Sequence, residues 1–189
     1  MNKLIHLSFF CVAAAQAAVV VDITQIGSDV VISHSGTIDT ASASNTGFLA
    51  DQGVTIGKFG PNTNYITFGE VGRADAYSVS FSEFPFAMLT SGTAFPDSRT
   101  GDTFGIYRGE NRLYLPVGYV TGETITGGAT FNGKTLADLG IVEGTYTATF
   151  SNAGTTENVT YNVSVPETSQ FALIASLISL GFCYFKRRR

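Results

Sequence analysis

Few side chains in this 189-residue chain can do chemistry. It has two histidines and two cysteines. His6, Cys11 and Cys183 sit in apolar terminal stretches, which leaves His34 as the single histidine of the intervening chain and no cysteine there. One imidazole cannot supply the spaced ligand set of a zinc site. No His-Glu-x-x-His, Gly-x-Ser-x-Gly or glycine-rich phosphate loop occurs, and no thiol nucleophile is available. His34 lies in Ile32-Ser33-His34-Ser35, where the alternation reads as a solvent-facing strand position. What remains is oxygen chemistry. Two converging carboxylates could hydrolyse a glycoside, a pairing that spacing along the chain does not constrain. Asp97, Asp102 and Glu110 are calcium candidates through their oxygens, although their spacing matches no defined calcium loop. The alternative for these acids is to cap turns, or to pair with Arg99 and Arg108. Tyr65, Tyr107, Tyr114 and Tyr119 could stack on sugar rings, but the chain has no tryptophan, the largest stacking residue.

The elements that must carry these residues are strands. Asn158 to Val165 alternates strictly, with Val159, Tyr161, Val163 and Val165 on one face and Asn158, Thr160, Asn162 and Ser164 on the other. Gly144 to Ser151 does the same, with Tyr146, Ala148 and Phe150 opposed by threonines, and Asn152-Ala153-Gly154 links the two as an antiparallel hairpin. Val19 to Ile26 and Asp29 to Ser33 flank Gly27-Ser28, whose first position suits a type II′ turn. Phe131-Asn132-Gly133-Lys134 predicts a I′ turn. Further strand signals lie near Phe48–Ile56, Tyr65–Phe68, Tyr77–Phe84, Thr103–Tyr107 and Arg112–Leu115, while Leu136 to Leu139 allows at most one helical turn. Pro116, Gly118 and Gly122 are expected to shape a hairpin edge. The expected fold is all-β, an antiparallel β-sandwich of jelly-roll-like type. Residues 18–165 form a single domain, long enough to bury a core without disulfides.

The termini read as addresses. Lys3 precedes an apolar stretch from Leu4 to Ala15, and Ala15-Gln16-Ala17 presents the small residues a signal peptidase reads, so residues 1–17 are a signal peptide cut between Ala17 and Ala18. Twelve helical residues rise about 18 Å, short of the roughly 30 Å hydrocarbon core, which argues against a retained anchor. At the other end Phe171 to Phe185 is apolar and free of charge, and Lys186, Arg187, Arg188 and Arg189 follow at once. Four cations resist translocation, so 171–185 is expected to be a C-terminal transmembrane helix with 186–189 as a cytoplasmic stop-transfer tail. Snorkelling cations extend its short apolar column.

Removing Lys3, the four terminal cations and Glu167 from the count leaves residues 18–165 with 14 acidic and 6 basic side chains. That surplus excludes a nucleic-acid partner, whose phosphates require a basic face. Asn158-Val159-Thr160 and Asn162-Val163-Ser164 match the glycan acceptor pattern and read as polar strand positions.

Val165-Pro166-Glu167-Thr168-Ser169, the short apolar segment and the basic end together resemble the PEP-CTERM sorting tail of exported proteins of Gram-negative bacteria. The resemblance covers residues 166–189, with Pro166, Glu167 and Thr168 as the sorting motif; Thr168 stands where the second proline is usual. It implies an exosortase partner that cuts near this motif, a transient or permanent anchor in the inner membrane, and delivery to the cell surface or an extracellular exopolysaccharide matrix. The expected function is therefore a non-enzymatic surface or matrix protein without a cofactor. A surface carbohydrate-binding module and an exported carboxylate-dependent hydrolase are the alternatives.

Overall fold

The computed structural model describes residues 18–41, 43–49, 56–58, 64–70, 72–84, 92–152 and 155–166. Its strands in chain order are β1 (Ala18–Ile26), β2 (Asp29–Gly36), β3 (Ser44–Leu49), β4 (Ile56–Lys58), β5 (Asn64–Phe68), β6 (Ala74–Ser78) and β7 (Ser80–Glu83). There follow β8 (Gly92–Ala94), β9 (Ser98–Gly101), β10 (Phe104–Tyr107), β11 (Arg112–Pro116), β12 (Ile125–Phe131), β13 (Gly144–Asn152) and β14 (Thr155–Ser164). They form two seven-stranded sheets, ordered β7-β13-β14-β1-β2-β12-β9 and β3-β6-β11-β10-β5-β4-β8. The all-β sandwich expected from the alternation is present.

Period-two patterning accounts for the stacking. Along β14, Val159, Tyr161 and Val163 point inward and are buried, as do Val19, Val21 and Ile23 of β1, all three fully buried. Facing them from the second sheet are Ile66, Phe68, Phe104, Ile106, Leu113 and Leu115, all at most 1 % exposed. Each such side chain contributes about 1.5–3 kcal/mol on leaving water. The opposite face of the first sheet is hydroxyl- and amide-rich, and its side chains bond one another: Thr149 to Asn158 at 2.9 Å, and Asn162 to Asp22 at 2.9 Å. Both asparagines of the glycan-acceptor triplets are thus tied into the sheet surface.

Three expectations need correction. The first sheet is not uniformly antiparallel, because β1 and β14 run parallel at its centre, from Ala18 opposite Asn158 to Thr24 opposite Ser164. A parallel pair needs a long crossover, and here almost the whole domain supplies it. The run Tyr77–Phe84 is two strands: β6 belongs to one sheet and β7 to the other, and the chain changes sheets at buried Val79, whose amide donates to Asn111 O. The Phe131–Lys134 turn is not of type I′, which requires positive φ at both central residues. Gly133 has φ 61° but Asn132 does not share that sign, and both amides turn away to carboxylates, Asn132 N to Asp97 and Gly133 N to Asp29. Gly27 does take positive φ, 64°, in the β1–β2 turn.

Candidate functional site

Two of the three acids singled out as calcium candidates, Asp97 and Asp102, serve the backbone. Asp97 Oδ2 accepts from Asn132 N at 2.8 Å, and Asp102 Oδ2 accepts from Thr126 N at 2.9 Å. These two residues bracket β9 and fasten its ends to β12, since Asp97 N also donates to Thr130 O and Asp102 N to Thr126 O. Glu110 lies in the 3-10 turn Arg108–Glu110 of the other sheet, its carboxylate 3.9 Å from Arg112. The fold therefore does not bring the three together, and among the described residues no three His, Cys, Asp or Glu side chains gather as a metal set. Arg108 bonds Asn111 at 2.5 Å rather than either aspartate.

The four tyrosines divide between two environments. Tyr65, Tyr107 and Tyr114 meet on the outer face of the second sheet, because Tyr107 is opposite Tyr65 on β10 and β5. Their rings pack edge to face, with centroids 5.4 Å apart for Tyr65–Tyr107 and 5.9 Å for Tyr65–Tyr114. Such pairs are worth about 0.5–1.5 kcal/mol each. Tyr114 is buried with Ala74 and Ala76, and burial pushes its hydroxyl well above the usual phenol range. The rings present edges to one another, not a flat strip to a sugar. Tyr119 is on the other side, in the core between the sheets.

A cleft of about 210 Å³ lies at one end of the sandwich, lined by Asp102, Pro116, Gly118, Tyr119, Glu123 and Ile125. Asp102 and Glu123 both border it, and Glu70 and Asp97 border a second, open groove of about 520 Å³ together with Pro96, Ser98 and Arg99. The volume of the cleft is below the roughly 300–1,000 Å³ typical of small-molecule sites. The cleft can take a small polar group, not a length of polysaccharide.

His34 departs from its expected position. It follows Val30 and Ile32 on the inner face of β2 and is 3 % exposed. Phe104 and Phe68 flank its ring at centroid distances of 5.6 and 6.4 Å, and neither ring nitrogen has a hydrogen-bond partner of good geometry. Burial lowers its pKa from 6.5 to about 4, against a smaller upward pull from the Asp102 carbonyl and carboxylate. Space for the ring comes from Gly127 across the ladder, where a Cβ would stand 2.7 Å from His34 Cε1. The phase of Val30, Ile32 and His34 was the available signal; its polar neighbours Ser33 and Ser35 obscured it.

Glu157 was not anticipated at all. It precedes Val159 on the inner face of β14, opposite Phe150, and is 3 % exposed. Its carboxyl accepts the Asp39 amide, and Oε2 has no partner. Burial, then the nearby Asp39 carboxylate, raise its pKa from 4.5 to about 7. Extending the alternation of Asn158–Val165 back by one residue puts this acid on the apolar register, a signal present in the chain.

Next to it, the connection leaving β2 is clamped. Tyr119 Oη accepts from Ile38 N at 2.9 Å and lies 3.0 Å from Ile38 O and 2.8 Å from Glu123 O, which share its one proton. Thr40 N donates to Thr121 Oγ1 at 3.2 Å, and the two hydroxyls are 2.9 Å apart.

Ala18 opens β1 and Pro166 follows β14. The expected signal peptide 1–17 including Ala17, Glu167 and Thr168 of the expected sorting motif, the apolar segment 171–185 and Lys186, Arg187, Arg188 and Arg189 lie outside the described residues. No helix among the described residues is long and apolar enough to cross a membrane. In comparisons with known protein families, curated proteins and solved structures, no match to this chain was found.

Proposed function

We propose that this chain is a non-enzymatic exported surface or matrix protein, delivered by its leader and sorted through its C-terminal tail by an exosortase. One observation supports the reading: β14 ends at Ser164, two residues before the sorting motif at Pro166, so the sheet is complete before the tail begins. The carboxylates of Asp97 and Asp102 accept backbone amides at the two ends of β12, which suits a scaffold better than a hydrolase. The tail is treated as a stop-transfer element because moving cations through the bilayer centre costs about 2.5–3.5 kcal/mol each on insertion scales.

Intact-mass analysis of protein recovered from the cell surface tests this. A species beginning at Ala18 and ending between Val165 and Ser169 is expected. Recovery of only chains that retain Phe171 to Arg189 would leave a plain single-pass anchor and remove the sorting assignment. Replacing Lys186–Arg189 by serine is expected to release the domain into the periplasm or medium.

A further inference from the structure

We propose that residues 37–41 form a proton-controlled strap over one end of the sandwich, seated while the Glu157 carboxyl beneath it is neutral and loosened when that carboxyl ionises. The geometry is specific. Ile38 is fully buried and held through both its backbone groups, by Tyr119 Oη and by Gly122 N. Thr40 is tied to Thr121, and Asp39 Oδ1 accepts the Ala41 amide. Between these ties the Asp39 amide donates to Glu157, so the strap rests on a carboxyl group.

That seat is poor for an anion. Glu157 Oε2 is sealed from solvent without a donor, and an ionised carboxylate buried without compensation is strongly disfavoured. Among the described residues, the groups facing it offer no positive charge: Asp39 comes from the strap, Tyr119 from the β11–β12 connection, and Phe150 from β13. The Asp39 amide favours the anion, but burial and the Asp39 carboxylate outweigh it, which places the transition at about pH 7. Above it, ionised Glu157 is relieved by admitting water, and the segment that lifts is the one carrying the repelling Asp39. The sign follows from linkage: a group whose pKa is raised in the closed state stabilises that state below its ordinary pKa and ceases to do so as pH rises through the raised value.

Hydrogen exchange on the full-length protein in detergent, corrected for intrinsic rates, tests the strap. With an open-state pKa of 4.5 and a closed-state value of about 7, protection of the amides of Ile38 to Ala41 should fall by about thirtyfold between pH 5.5 and 8.5, while β13 amides keep theirs. Glu157→Gln should abolish the dependence. Asp39→Asn, which leaves the buried carboxyl in place, should move the midpoint to lower pH and serves if the first variant fails to fold. No pH dependence in the wild type, or the same dependence in Glu157→Gln, would overturn the proposal. So would millimolar calcium restoring protection at pH 8.5, since the two carboxylates would then be a cation seat.

Discussion

Replacing His34 by leucine should make the protein more resistant to acid, by an amount that follows from where the imidazole sits. The ring is 3 % exposed, packed beside Phe104 and Phe68, and the Asp102 carbonyl near it makes no hydrogen bond of good geometry to either nitrogen. Its pKa of about 4 compares with 6.5 in the unfolded chain. Between those values the unfolded chain binds the proton and the folded one refuses it, so stability is full above pH 6.5 and is lost as pH falls through 4. At about 1.36 kcal/mol per pH unit the gap is worth about 3 kcal/mol, a large part of a typical domain's total. Glu157 acts in the opposite sense, because its folded pKa of about 7 exceeds 4.5; its contribution is full below pH 4.5 and is lost as pH rises through 7. The two slopes therefore oppose each other between about pH 4.5 and 6.5, and the wild type should be nearly flat there as far as these groups decide. Urea unfolding of purified wild type and His34→Leu from pH 3.5 to 8 reads this out. The stability difference between the variant and the wild type should grow in the variant's favour by about 3 kcal/mol from pH 7.5 to below 4. Parallel curves for the two proteins would refute the placement of His34 as an uncompensated buried base.

Tyr119→Phe removes the hydroxyl shared by Ile38 and Glu123 and leaves the buried Ile38 amide without that partner, so a loss of about 1–3 kcal/mol in thermal or urea unfolding is expected. Gly127→Ala would place a Cβ 2.7 Å from both His34 Cε1 and the Thr100 carbonyl oxygen; overpacking of this kind should cost about 1–3 kcal/mol, and combining it with a smaller residue at 34 should recover part of the loss. Residues 18–165 contain no cysteine, so the isolated segment should give a β-type circular dichroism spectrum and a cooperative melt that reductant does not move.

The class of fold was legible along the chain, because alternation is a property of neighbouring residues: Val159, Tyr161 and Val163 face one way whatever pairs with them. Gly27 marked the β1–β2 hairpin for the same reason, since its positive φ is a local demand. Strand β12 escaped notice because Gly127 and Gly128 dilute its pattern, and those glycines answer to contacts across the sheet, His34 Cε1 for one and Ile32 O for the other. That β14 runs parallel to β1 at the centre of its sheet is settled by folding, which sets Ala18 beside Asn158 from the far end of the domain. The tertiary structure also decided the chemistry. His34 and Glu157 occupy inward phases readable along the chain, yet what each meets there, two phenylalanines for one and the Asp39 amide and carboxylate for the other, depends on segments brought close by folding alone. Burial sets the charge state of both groups, and burial is a property of the packed sandwich, not of any one strand.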